Sequence, residues 1–93
     1  MSQRVSHRLR ATGRVQRVGF RVFVRDTARA FDIRGWVRNG DDGSVEIAAW
    51  GMADNMRSFI EQIEIGPSGS RVDALEIMES DVEMGMDDFM VIG

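Results

Sequence analysis

An α+β sandwich of order β-α-β-β-α-β, one antiparallel sheet with two helices on one face, is the fold this 93-residue sequence predicts. Three observations lead there. Residues near the N-terminus alternate apolar and polar, two later stretches repeat their apolar residues every three or four positions, and between those stretches two short strand-like runs flank a Gly/Asp cluster. Joined by right-handed crossovers, these elements make the ferredoxin-like arrangement, with one more strand at the C-terminus. The length suits a single domain over residues 1–93 and is too short for two.

Val5, His7, Leu9 and Ala11 alternate with Ser6, Arg8, Arg10 and Thr12, the period of a half-buried strand. Residues 13–21 break that pattern with two glycines and read as a loop. Phe20, Val24, Ala28 and Phe31 then fall on one helical face, and the helix is expected to end near Asp32. Trp36–Asn39 and Val45–Trp50 flank Gly40-Asp41-Asp42-Gly43 as a hairpin. A second helix from about Ala53 places Met56, Phe59, Ile60 and Ile63 on one side, and Gly66-Pro67 stops it. In the strand from Arg71 to Glu79, inward Val72, Leu75 and Ile77 include one spacing of three, which implies a bulge or a shift of register. The acidic residues 80–88 read as a solvated turn before a last strand, Phe89–Ile92.

Composition narrows the function classes. There is no cysteine, so disulfides, thiolate metal sites and a cysteine nucleophile are excluded. No apolar run approaches the roughly 20 residues of a membrane span, and a cytoplasmic monomer is the expectation. Charge is unevenly placed. Residues 1–40 carry ten arginines against two acids, +8, and residues 41–93 carry two arginines against thirteen acids, −11. Such halves either bind an anion or neutralise one another in the fold, and the second reading is favoured. The single histidine, His7, falls on the inward face of a strand, where a structural role outweighs catalysis. Asp41-Asp42 and Asp87-Asp88 lie in turns and offer too few convergent oxygens for a metal.

One segment remains for chemistry. Gly13-Arg14-Val15-Gln16-Arg17-Val18-Gly19-Phe20-Arg21 runs from a strand to a helix, so its backbone N–H groups can form an anion-binding concavity at a helix N-terminus. An arginine at its end adds a fork of donors matched to phosphate oxygens. Taken alone, the segment is also compatible with a plain loop and a surface arginine.

Gly13-x-Val15-Gln16-x-Val18-x-Phe20-Arg21 resembles the first signature of the acylphosphatases, and Gly35-Trp36-Val37-Arg38-Asn39-x-x-x-Gly43-x-Val45 resembles their second. The resemblance is strong over residues 9–51 and weaker over 52–93. It implies hydrolysis of acyl phosphates with Arg21 binding the phosphate and Asn39 orienting the attacking water. It also implies that the loop amides from Val15 to Phe20 complete the phosphate cradle: Val15, Gln16, Arg17, Val18, Gly19 and Phe20. Three features depart from the family pattern: Arg17 and Asp32 stand in place of glycines, and Val91-Ile92-Gly93 replaces the typical basic-aromatic ending, which is expected to weaken the packing of the last strand.

The sparse inventory is chemically sufficient. A carboxylate leaving group, with a conjugate acid of pKa about 4, departs without protonation, and positioning plus charge stabilisation supplies most of the catalysis. No metal or other cofactor is needed, and little activity on phosphomonoesters is expected because their alkoxide leaving groups demand an acid or a metal. Two alternatives stand beside this reading. One is a catalytically weak or inactive acyl-phosphate-binding relative, in which Arg17 spoils the loop. The other is an RNA-binding module of the same element order, disfavoured because the first strand lacks aromatics and Trp50 comes at the end of the third, so no nucleic acid partner is expected.

Overall fold

Leu9 and Ala11, alternate residues of the first strand, are buried, while the arginines between and beside them face outward. That alternation sets the two faces of the sheet. In a computed structural model that describes residues 3–80 and 87–93, the chain runs β1 (Arg4–Arg14), α1 (Phe20–Ala30), β2 (Arg34–Asn39), β3 (Val45–Met52), α2 (Ala53–Ile65), β4 (Arg71–Glu79) and β5 (Phe89–Val91). The strands lie in the order β4-β1-β3-β2-β5. Both helices cover one face. Phe20, Val24 and Ala28 of α1 and Met56, Phe59 and Ile63 of α2 meet Leu9, Ala11, Val37, Ile47 and Phe89 in one core.

Three of the strand pairings are antiparallel, but β5 lies parallel to β2, with Gly35 opposite Phe89 and Val37 opposite Val91. The sheet is thus the expected antiparallel one with a single parallel pair at its edge. The reason is topological: β4 occupies one edge, and a strand returning from its end runs opposite to it. The strand at the far edge, β2, also runs opposite to β4, so the pair is parallel. The acidic turn expected over residues 80–88 lies, for 81–86, outside the described residues.

The first strand is also longer than expected. It continues through Gly13 and Arg14, because a register shift between Thr12 and Gly13 keeps it paired to Val72 and Arg71 of β4. Gly13 has φ of 117°, and a Cβ there would sit 2.2 Å from the Arg71 backbone oxygen. The loop therefore begins at Val15. The shift is the bulge that the Val72–Leu75 spacing implied. On this edge strand the inward row is only partly covered, and Ile77 remains 45% exposed.

On the open face, Arg4 and Arg34 lie over the Trp50 ring and Arg8 and Arg38 over Trp36, at 4.6–5.7 Å from the ring centroids. Among the described residues, ion pairs join the basic first part of the chain to the acidic remainder: Arg8 and Arg38 to Glu46, Arg10 to Asp42 and Glu76, Arg29 to Asp88. His7 faces inward and half-buried beside α2, with its Nδ1 buried and without a hydrogen-bond partner among the described residues.

Helix α1 ends in a Schellman arrangement. Ile33 N–H donates to the Ala28 carbonyl at 2.8 Å and Asp32 N–H to that of Arg29 at 3.3 Å, with Asp32 at φ 54°. A Cβ in that left-handed conformation costs on the order of 1 kcal/mol. Asp32→Gly is accordingly expected to raise the melting temperature by roughly 4–8 °C in calorimetry. A fall would show that the Asp32 side chain contributes more than the strain it imposes.

Candidate active site

Between β1 and α1 the backbone changes hand at alternate residues. Arg17 has φ of 63° and Gly19 of 74°, while Gln16 and Val18 stay on the negative side. Such alternation turns successive N–H groups toward one point and forms an anion nest. The nest opens onto the N-terminus of α1, which no side chain caps and whose first turn contains no acid. The first helical hydrogen bond runs from Phe23 N–H to the Gly19 carbonyl at 3.0 Å, so the amides of Phe20, Arg21 and Val22 precede it without a helical acceptor. Their partial positive charge favours an anion there. Arg17 does not break this loop. It adopts the left-handed conformation that glycine would take with less strain.

The side chains of the loop have divided tasks. Val15 and Phe20 are buried in the core, so they offer the site only their backbone. Val18 packs partly against the same core. The Gln16 side chain faces the hairpin rather than the cleft, and Nε2 donates to the carbonyls of Gly40 at 3.0 Å and Ser44 at 2.8 Å. The family resemblance implied a place for Gln16 in the phosphate cradle through its amide and none for its side chain in the hairpin. The structure shows that it ties that loop to the β2–β3 turn.

That turn is braced from its far side. Asp42 accepts from Ser44 N–H at 3.1 Å and from the Ser44 hydroxyl, and Arg10 of β1 donates to its other oxygen. Arg10, and then the Ser44 donors, hold the Asp42 carboxyl well below the usual carboxylate range. Asn39, the last residue of β2, pairs with Val45 just beyond the turn. Its Oδ1 is buried and has no hydrogen-bond partner among the described residues.

Arg21 and Asn39 meet at an atom that sequence reasoning missed. The Gly93 backbone oxygen accepts from Asn39 N–H at 3.1 Å and from Arg21 Nη1. Ile92 N–H donates to the Val37 carbonyl at 3.0 Å, which carries the chain beyond β5 to that point. No side-chain signal could have revealed this acceptor, because it belongs to the backbone.

Beside it lies a cleft of about 140 Å³ walled by Val15, Arg17, Gly19, Phe20, Arg21, Val22 and Val91. Gln16, Val18 and Asn39 are not on that wall, and Asn39 is linked to it through Gly93. Among the described residues no acid lines the cleft. A larger cavity, about 400 Å³ beside His7 and α2, is lined by Arg57 and by the acids Glu61 and Glu64, which disfavour an anion.

Comparison with known proteins identifies the family and the fold. A family model described as acylphosphatase matches residues 7–91. The chain is 46% identical over 89 residues to an acylphosphatase of Salinibacter ruber, covering 96% of this chain and 92% of the relative. It is 41% identical over 81 residues to one of Chlorobaculum tepidum, covering 87% and 88%. The crystal structure of an acylphosphatase from Bacillus subtilis matches with a TM-score of 0.92 at 38% identity, over 96% of this chain and 99% of that one.

Two outcomes follow from the bracing of the loop and turn. Gln16→Ala removes the side-chain donor of the Gly40 carbonyl and leaves the Ser44 carbonyl with Gly40 N–H alone, so denaturant unfolding is expected to show a loss of about 1–3 kcal/mol. Its kcat/KM on acetyl phosphate should fall at least tenfold; unchanged turnover would mean that the site does not depend on this tie. For Asp42, the folded-state pKa lies below the unfolded value, so its contribution is complete above the ordinary carboxylate pKa of about 3.9 and is lost as pH falls below it. The stability difference between the parent and Asp42→Asn should hold steady from pH 7 to about 5 and shrink in more acid solution. A difference that grew on acidification would reverse the sign.

Proposed function

The chain belongs to the acylphosphatase family, and we propose that it hydrolyses acyl phosphates by in-line attack of water on phosphorus, with Arg21 and the loop amides holding the phosphoryl group and Asn39 orienting the water. The observation that carries this reading is the meeting of Arg21 and Asn39 at the Gly93 oxygen, with Asn39 Oδ1 left without a partner among the described residues. An unsatisfied buried acceptor costs about 1–3 kcal/mol, and Asn39 regains that energy when its carboxamide turns to the cleft and accepts from a water. Such a water keeps a lone pair free for attack.

The Arg21 guanidinium has five N–H donors. The Gly93 oxygen engages one nitrogen, and the others remain to grip phosphoryl oxygens. The amides of the nest and of the first turn of α1 add positive charge where the equatorial oxygens gather it in a loose transition state. As the water oxygen bonds to phosphorus, the opposite P–O bond breaks and its electron pair leaves with the acyl oxygen as a carboxylate. The protons of the water pass to solvent and to the phosphate formed. A leaving group whose conjugate acid has a pKa of about 4 requires no proton, which accounts for a site without a general acid. A neutral carboxamide suffices to fix the nucleophile in line, because little bond formation to it has occurred at the transition state.

Steady-state hydrolysis of acetyl phosphate tests the assignment. Arg21→Ala should lower kcat/KM by about a thousandfold or more. Asn39→Ala should lower kcat by roughly 10²–10³ with KM within a few-fold, the pattern of a group that acts on the transition state. The parent rate should persist in the presence of a chelator. Full activity in Asn39→Ala would falsify the water-positioning role.

A further inference from the structure

The nest needs a left-handed backbone at residue 17, and a glycine would provide it with less strain than the arginine found there. The arginine side chain is exposed and has no hydrogen bond or ion pair among the described residues. It lies on the wall of the same cleft as Arg21, where every other wall residue is apolar or glycine. The charge of a phosphoryl group is matched by Arg21, the loop amides and the end of α1, all of which operate without the Arg17 guanidinium. A second cation on this wall therefore has no counterpart in an acyl phosphate whose acyl part is neutral.

We propose that Arg17 is a specificity-determining residue that selects acyl phosphates whose acyl part carries its own anionic group, a carboxylate or a second phosphate, a few bonds from the phosphoryl. This rests on the reading of the cleft as the acyl phosphate site. Val22 and Val91 face the carbon chain between the two anions, and the guanidinium receives the distal one through a charge-assisted hydrogen bond. Because the side chain is exposed, the selection weakens as salt screens it.

Two matched pairs of compounds test this with the full chain. Succinyl phosphate and butyryl phosphate share a four-carbon acyl group and differ in a terminal carboxylate against a methyl. Their stable counterparts, 4-phosphonobutyrate and butylphosphonate, measure binding alone. Net of uncatalysed hydrolysis, the parent should favour succinyl over butyryl phosphate in kcat/KM by about tenfold, and should bind the phosphonates with a similar ratio. Both ratios should shrink with added salt. Arg17→Gln and Arg17→Gly should bring them close to one, Arg17→Lys should retain part of the preference, and Arg17→Gly should also melt at a higher temperature. Equal handling of each pair by the parent overturns the proposal. So does an Arg17→Gln variant that loses the same factor on both members, since its guanidinium would then serve the phosphoryl. If neither acyl phosphate turns over, the hydrolytic reading fails, and the phosphonate ratio still decides the role of Arg17.

Discussion

Gln16 reaches 24 and 28 residues along the chain to donate to the Gly40 and Ser44 carbonyls, and the arrangement of the site depends on that tie. The nest and the N-terminus of α1 come from one segment, and Asn39 comes from another. Each is locally well formed, but neither fixes its distance from the other. A single carboxamide with two donors and two backbone acceptors fixes it in both translation and rotation. Arg10 braces the same turn through Asp42 from β1, so the turn is held from both sides.

A third component arrives from the end of the described chain. β5 joins the sheet at the edge that β2 leaves open, and Phe89 is fully buried, its ring 6.2 Å from that of Phe59. That anchorage sets the register in which Ile92 bonds to Val37 and Gly93 reaches Asn39 and Arg21. Core packing between an α2 phenylalanine and a short edge strand is thus transmitted to the orientation of Arg21.

The uneven charge of the sequence is resolved by the same topology. Pairing β1 with β3 and β4, and β2 with β3, sets Arg8, Arg10 and Arg38 beside Glu46, Asp42 and Glu76, while α1 brings Arg29 to Asp88. Arg17 and Arg21 are kept apart from these acids at the cleft. The positive potential that an anionic substrate meets comes from this local exclusion of carboxylates rather than from the net charge of the molecule, which is −3.

Hydrophobic periodicity determined the elements of this protein, because the side chains that must leave water recur with the period of the helix or strand that buries them. The β4 bulge was legible for the same reason, in the step of three from Val72 to Leu75. Arg21 and Asn39 could be singled out as candidates because the proposed chemistry resides in side chains and their motifs are local. Tertiary structure alone decided the rest: the parallel placement of β5, the continuation of β1 through Gly13, the target of Gln16 and the Gly93 acceptor shared by Arg21 and Asn39. Each of these is a matter of which backbone edge or carbonyl is left open once the chain has folded, and every residue carries the same carbonyl whatever its side chain. The side chains of the sequence identify the groups that can act, and only the folded backbone sets them at working distance.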